Sequence, residues 1–130
     1  MRNIKFRVWD TEENKFREMG FMINQYGSLM QYGEFEKMKK ISKDRYKIMQ
    51  YTGLKDKEGK EIYEGDIVKF KTMIGSEQTG VVVLHQGEYC AEIKRKNHSS
   101  YYRLYEFYED NENIKIVGNK YENPELKGGE

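Results

Sequence analysis

Apolar and polar side chains alternate over short stretches along most of the chain. The clearest early case is the segment IKFRVWD, in which Ile4, Phe6 and Val8 share one face and the lysine and arginine between them share the other. A period of two residues is typical of a strand with one buried face. The pattern therefore predicts a half-buried first strand that ends at Trp9 and Asp10.

The same alternation recurs along the chain and predicts about nine short strands in all. The run from Val81 to Leu84 is apolar on both faces and lies in a β-branched segment, so its strand is predicted to be central in a sheet. The later predicted strands lie within residues 16–24, 28–32, 46–51, 67–70, 79–86, 89–96, 101–107 and 114–118. Turn signals separate them every eight to twelve residues, which favours an all-β sandwich or small barrel.

The pattern does not decide the secondary structure of two stretches. Residues 36–45 predict either one helical turn or a lysine-rich loop. Residues 101–107 fit a strand face and a helical spacing equally well.

Glycines mark two predicted turns in the middle of the chain. Gly59 is expected to supply a positive φ at the tip of a charged hairpin, and Gly65 to shape the tight EGD turn. Asp66 in that turn is read either as an acid or ligand, or as a side chain that accepts turn amides, and turn chemistry favours the second.

Composition narrows the class of protein. The chain has 130 residues, of which 37% are hydrophobic and 35% charged, with 11 tyrosines. That length suits one domain or two small lobes that fold without disulfides or metals. Cys90 is the only cysteine, and the start of the chain lacks the apolar core of a signal peptide. We therefore expect a reduced, cytoplasmic setting, with no membrane span.

No motif predicts catalysis, a metal site or a cofactor. HExxH, CxxC, a phosphate-binding glycine loop and a nucleophile elbow are all missing from the sequence. Cys90 paired with a histidine is the remaining nucleophile candidate. Its position within a predicted strand favours a small buried hydrophobe instead. The expectation is a protein that is not an enzyme.

A basic cluster is the first candidate binding site. It lies within eleven residues, is flanked by aromatic residues, and comprises Lys37, Lys39, Lys40, Lys43, Arg45 and Lys47. Lysines neutralise phosphates and aromatic rings stack on bases, so the cluster is compatible with nucleic-acid binding. It is equally compatible with a solvated loop that keeps the domain soluble. The pI of about 7.7 does not mark a plainly basic protein.

A tyrosine-rich run is the second candidate site. Tyr102, Tyr105 and Tyr108 fall in or just after the ambiguous segment. Tyrosine is enriched at protein interfaces, so these residues are a candidate contact surface. The alternative is that the run contributes to the core.

Long motifs in this chain resemble those of the YopX family of phage and prophage proteins. They are the opening IKFRVWD, the central MQYTGLKDKEGKEIYEGDIVKF (residues 49–70) and the closing IVGNKYENPEL (116–126). Lys120 departs from the family pattern, in which an apolar residue is more usual. The resemblance implies an all-β fold with a small SH3-like barrel in the half that begins near the EGD turn. Together with the predicted strands it gives an N-terminal β-meander lobe (1–50) joined to the SH3-like barrel (51–126) in one compact unit, followed by a loose tail (127–130). It transfers no activity and no binding residues.

Two hypotheses follow for the function. The first is a non-enzymatic β-rich binding or assembly module in the cytoplasm of a bacterial host. Its partner would be a second copy or an unknown phage or host protein, since edge strands and tyrosine-rich faces favour association. The alternative is a nucleic-acid-binding module that uses residues 37–47. The two differ in how steeply binding falls with salt.

Overall fold

The computed structural model describes residues 3–32, 38–40, 44–108 and 113–127, and almost all of the ordered elements in these residues are strands. This confirms the predicted all-β class. The twelve strands are β1 (Phe6–Asp10), β2 (Lys15–Arg17), β3 (Phe21–Ile23), β4 (Leu29–Tyr32), β5 (Met38–Lys40), β6 (Tyr46–Lys55), β7 (Glu61–Tyr63), β8 (Asp66–Lys71), β9 (Glu77–His85), β10 (Glu88–Lys94), β11 (Ser99–Arg103) and β12 (Lys115–Asn119). One short helix, α1 (Leu104–Tyr108), follows β11, and a 3-10 helix spans Pro124–Leu126.

The structure has three strands more than the predicted nine, and one of them is β7, which follows the charged hairpin tip and was not predicted. The segment 16–24 is divided at Gly20, whose φ of +90° interrupts the extended backbone between β2 and β3. Strand β5 lies in the segment predicted as a helical turn or loop, so that prediction was wrong for residues 38–40. Its three residues pair antiparallel with β4, because a partner strand overrides the weak strand propensity of lysine.

The first strand was predicted with the wrong buried residues. Ile4 and Phe6 are 60% and 41% exposed, whereas Val8, Trp9 and Asp10 are buried in succession. The end of the strand was predicted correctly, since β1 ends at Asp10, which pairs with Lys15 of β2.

The chain divides into two compact units. One is Phe6–Met49, and the other combines Met1–Lys5 with Gln50–Glu130. In the first unit, β1 pairs with β2 and with the start of β6, and β3, β4 and β5 form a separate sheet. Its small core joins Val8, Leu29 and Tyr46.

The larger unit is built on a five-stranded antiparallel sheet in the order β11-β10-β9-β8-β12. Strand β9 is central, as its β-branched sequence predicted. One face of the sheet carries the core, whose buried members are Ile62, Val68, Phe70, Val82, Ala91, Ile93, Leu104 and Ile114. The end of β9 departs from the prediction of apolar burial on both faces, since Leu84 is 56% exposed. The SH3-like detail of the fold stays a prediction.

The ambiguous segment 101–107 adopts both of the structures that its sequence allows. It continues β11 to Arg103 and then turns into α1 at Leu104, whose side chain is buried in the core. In the part of the chain that the structure describes, no helix has the length and apolar character needed to cross a membrane.

Candidate functional site

Cys90 and the acidic and histidine side chains do not assemble a reactive centre in the described residues. No group of three or more His, Cys, Asp or Glu side chains there is placed to hold a metal ion. Cys90 is buried in β10, and its thiol donates to the carbonyl oxygen of Glu88 at 3.8 Å. Burial, followed by the nearby Glu88 carboxylate, raises the pKa of Cys90. The thiol is therefore protonated at neutral pH, which weakens it as a nucleophile.

The basic cluster is only partly described, and Arg45 within it is already engaged. Lys39 and Lys40 lie on β5, while Lys37 and Lys43 fall outside the described residues. Lys47 is half-buried in β6. The Arg45 guanidinium binds Asp10 through two parallel contacts, Nε to Oδ1 and Nη2 to Oδ2, each 3.0 Å. A phosphate would have to compete with this bidentate ion pair.

Asp10 is the centre of that ion pair and was missed at the sequence level. Its carboxylate is fully buried and also accepts a contact from Arg17 Nη1 at 3.0 Å. The main-chain amides of Glu12 and Glu13 complete its partners, at 3.0 and 3.3 Å. The hydrogen bond from Arg45 holds the pKa of Asp10 well below its usual range, against the opposing effect of burial. The cluster fixes the turn after β1.

The three candidate tyrosines have different environments. Tyr102 points into the core, where its ring lies 5.2 Å from that of Phe70 between centroids. Tyr105, on α1, is 63% exposed. Tyr108 ends α1, and its side chain lies outside the described residues. The structure therefore separates Tyr102, which packs inside, from Tyr105, which faces solvent.

The two turn glycines lie at positive φ, +81° for Gly59 and +85° for Gly65. Asp66 is buried, and its Oδ2 accepts the main-chain amide of Tyr63 at 2.8 Å. Gly65 also donates its amide to Val82 O and accepts from Lys120 N, both at 2.8 Å. The EGD turn is thus bonded to the sheet and to the closing segment of the chain.

One edge of the five-stranded sheet is closed by the charged hairpin of the central motif. Asp56, near the hairpin tip, is buried, and its Oδ1 accepts the amides of Glu58 and Lys60, both at 2.9 Å. Its Oδ2 accepts the amide of Ile116 in β12 at 3.0 Å. The Lys57 amide donates to Ile114 O at 2.8 Å, immediately before β12. Main-chain groups at the β12 edge that would otherwise lack a hydrogen-bond partner are therefore bonded.

At the opposite edge, no strand of the described residues pairs with the outer side of β11, and the hairpin with β10 shows which groups point outward. The turn is closed by a bond from Arg95 N to His98 O at 2.7 Å, and the next pair is Lys94 with Ser99. In antiparallel pairs, hydrogen-bonded and non-hydrogen-bonded positions alternate. Ser99, Tyr101 and Arg103 therefore occupy the non-hydrogen-bonded positions, so their main-chain groups point away from β10.

These outward groups have no turn, loop or side-chain partner within the described residues. The N–H and C=O of Ser99 and Tyr101, together with the N–H of Arg103, form a short row along the edge. An extended chain can add to such a row as a further strand.

Side chains beside this row are polar at its ends and aromatic in the middle. The Tyr101 ring stacks on His85, with centroids 3.6 Å apart and planes within 4°. At the far end, Arg103 bonds Glu88 at 2.6 Å and Glu106 at 3.4 Å. The near end is basic, with Lys94 and Lys96 exposed around the hairpin turn.

Sequence reasoning placed Tyr101 in the aromatic run but did not assign it to a site. The hydrogen bond to Glu92 is the main cause that raises the pKa of the Tyr101 hydroxyl. Glu92 lies directly opposite Tyr101 in the β10–β11 register, so a correct prediction of that register would have identified the pair. That register requires the hairpin turn at residues 96 and 97, whereas the sequence predicted a strand that continues to residue 96.

Comparison with known proteins gives the family. The sequence matches the family described as "YopX protein" over residues 5–126. Protein EF1440 from Enterococcus faecalis has a similar crystal structure, with a TM-score of 0.56 and 25% identity over 97% of this chain and 99% of that one. Protein yopX from Bacillus subtilis is also similar in fold, with a TM-score of 0.59 and 22% identity over 97% and 98% of the two chains. No curated protein matches the sequence. Since the family match spans nearly the whole chain, the protein belongs to the YopX family.

Proposed function

We propose that the protein is a non-enzymatic binding module that joins protein partners through the open edge of β11. It acts in the cytoplasm of a bacterial host, as an accessory protein of a phage or prophage. The observation that carries the proposal is the row of outward main-chain groups at Ser99, Tyr101 and Arg103. Main-chain hydrogen bonds would supply affinity, and the neighbouring side chains would supply specificity.

The surroundings of β11 support a protein partner. Tyr101 in β11 and Tyr105 in the following helix are 38% and 63% exposed, and they give aromatic contact area next to the row. Tyrosine of this kind is enriched at interfaces because it buries a large ring at small entropic cost. Glu92 lies opposite the middle of the row, Glu88 and Glu106 lie at its far end, and these three carboxylates disfavour an anionic nucleic-acid backbone there.

The rival proposal, nucleic-acid binding by residues 37–47, has less support. Arg45 is held by Asp10, which removes one of the six cations from ready use. Lys47 is half-buried in β6. Fluorescence anisotropy with labelled single-stranded DNA, duplex DNA and RNA tests the rival. Micromolar binding that weakens steeply with salt, and that is lost on Lys39→Glu and Lys40→Glu exchange, would favour it over the β11 edge.

Site-specific photo-cross-linking in bacterial cells tests the main proposal. A benzoylphenylalanine at position 105 replaces an exposed tyrosine beside β11. The matched control places it at position 26, where Tyr26 is also exposed but lies in the N-terminal unit. We expect protein adducts, including those with a second copy, from position 105 and few from position 26. Equal yields from the two positions, or no protein adduct, would contradict the proposal.

A further inference from the structure

We infer that the partner at the β11 edge is a second copy of this chain, paired antiparallel through β11 with Tyr101 on the two-fold axis. The inference rests on the proposed function and names its partner. The pairing would join two five-stranded sheets into one continuous sheet across the subunits.

Main-chain geometry allows this register. Ser99, Tyr101 and Arg103 all point their main-chain groups outward, as derived from the hairpin. Antiparallel pairing about Tyr101 places Ser99 opposite Arg103 of the partner subunit, so outward groups meet outward groups. The two Tyr101 residues exchange two hydrogen bonds, and each Arg103 N–H donates to the carbonyl of the partner's Ser99. Four bonds form without breaking any bond within β10–β11.

The charges along the edge of one copy complement those of a second copy when the two are related by this two-fold axis. The turn end of β11 carries exposed Lys94 and Lys96. The other end carries two carboxylates, Glu88 and Glu106, around one guanidinium, that of Arg103. Antiparallel pairing brings the basic end of each copy beside the acidic end of the other. A parallel arrangement would instead place like ends together, at an electrostatic cost.

The centre of the contact is already ordered. Stacking on His85, with ring centroids 3.6 Å apart, fixes the Tyr101 ring. A ring that is ordered before binding loses little rotamer freedom when it packs against a partner. The two-fold axis would bring two such rings together at the middle of the interface.

Removing the outward amide tests the register directly. Tyr101→Pro deletes the N–H that would cross the two-fold axis and leaves the bonds from β10 intact, because that N–H points outward. The matched control, Tyr101→Val, removes the ring but keeps the amide and a good strand former. Sedimentation equilibrium of the purified protein should show a dimer. We expect Tyr101→Pro to raise the dimer Kd at least about tenfold, and more than Tyr101→Val does. A purified chain that stays monomeric at millimolar concentration would overturn the inference, and so would a dimer that is insensitive to Tyr101→Pro.

A charge exchange tests the antiparallel direction. Lys96→Glu and Glu106→Lys should each weaken the dimer roughly three- to tenfold, because each places like charges together across the interface. The double variant should return to within about threefold of the original affinity. Additive losses in the double variant would overturn the antiparallel arrangement.

Different results would contradict the β11 binding site and the second copy as its partner. If the purified chain is monomeric while position 105 still cross-links to another protein in cells, the second copy is wrong and the β11 edge remains a binding site. If position 105 gives no protein adduct while the chain still forms dimers that are insensitive to Tyr101→Pro, both proposals fail.

Discussion

Strands β12 and β11 end the same sheet in opposite ways. At β12, the carboxylate of Asp56 and the amide of Lys57 bond main-chain groups that would otherwise remain open. At β11, no comparable group in the described residues covers the edge. Proteins commonly block edge strands because an open edge pairs with other chains. The contrast is the basis of the proposal that the β12 edge contributes to stability and the β11 edge binds a partner.

The largest expected effect comes from opening the closed edge. Asp56→Ala removes the acceptor of three main-chain amides, including that of Ile116 in β12. We expect the free energy of unfolding to fall by roughly 2–4 kcal/mol, because buried donors lose a charged partner. Urea denaturation followed by circular dichroism measures it. Asp56→Asn is the isosteric control and should cost less, since one side-chain oxygen remains. A loss below about 1 kcal/mol for Asp56→Ala would mean that the hairpin does not hold β12.

Two tyrosines near the open edge should differ in how much they contribute to the free energy of unfolding. Tyr102 packs against Phe70, so Tyr102→Ala should cost about 2 kcal/mol of unfolding free energy, since it empties part of the core. Tyr105 is largely exposed, and Tyr105→Ala should change stability by less than about 0.5 kcal/mol. Thermal and urea denaturation of the pair measure the difference. Equal losses would contradict the assignment of Tyr102 to the core.

A smaller effect is expected at the turn beside the closed edge. Gly65 has a φ of +85° and bonds both Val82 and Lys120 through its main chain. Gly65→Ala should cost at least about 1 kcal/mol, because a Cβ disfavours that backbone conformation. Chemical denaturation provides the measurement, and Gly87→Ala, at the exposed β9–β10 turn with a φ of +83°, provides a comparison. A cost well below 1 kcal/mol for Gly65→Ala would count against the turn assignment.

The smallest change in stability is expected at the open edge itself. Tyr101→Pro should lower the unfolding free energy of the monomer by less than about 1 kcal/mol, because its amide does not bond β10. Ser100→Pro is the contrasting variant, since the Ser100 amide faces β10 and its loss should cost more. Denaturation at low protein concentration keeps association out of the measurement. Similar costs for the two variants would show that the outward direction of Tyr101 is wrong.

The sequence predicted features that depend on neighbouring residues. The β-branched run of β9 gave a central strand, and the glycines at 59 and 65 lie at the positive φ expected of them. Both follow from local propensity, which does not require knowledge of distant contacts.

Features that depend on distant partners escaped prediction. Asp56 looked like an ordinary charged residue of a hairpin tip, because its partner Ile116 lies 60 residues further along the chain. Asp10 was predicted only as the end of the first strand, since nothing near it in sequence indicates its bond to Arg45. Strand β5 forms against β4 despite its two lysines. The direction of the β11 main chain required the exact β10–β11 register, which the predicted strands within 89–96 and 101–107 do not fix.

The buried thiol of β10 has a practical consequence. Cys90 lies between Glu88 and Glu92 on one face of β10. His85 is paired with Glu88 and Tyr101 with Glu92, so their stacked rings meet across β10 over Cys90. As the chain contains a single cysteine, alkylating reagents would modify one defined position. The rate of that modification reports how often β11 and the stacked rings move aside. The native sequence thus carries its own kinetic probe of local opening, and no engineered label is needed to follow it.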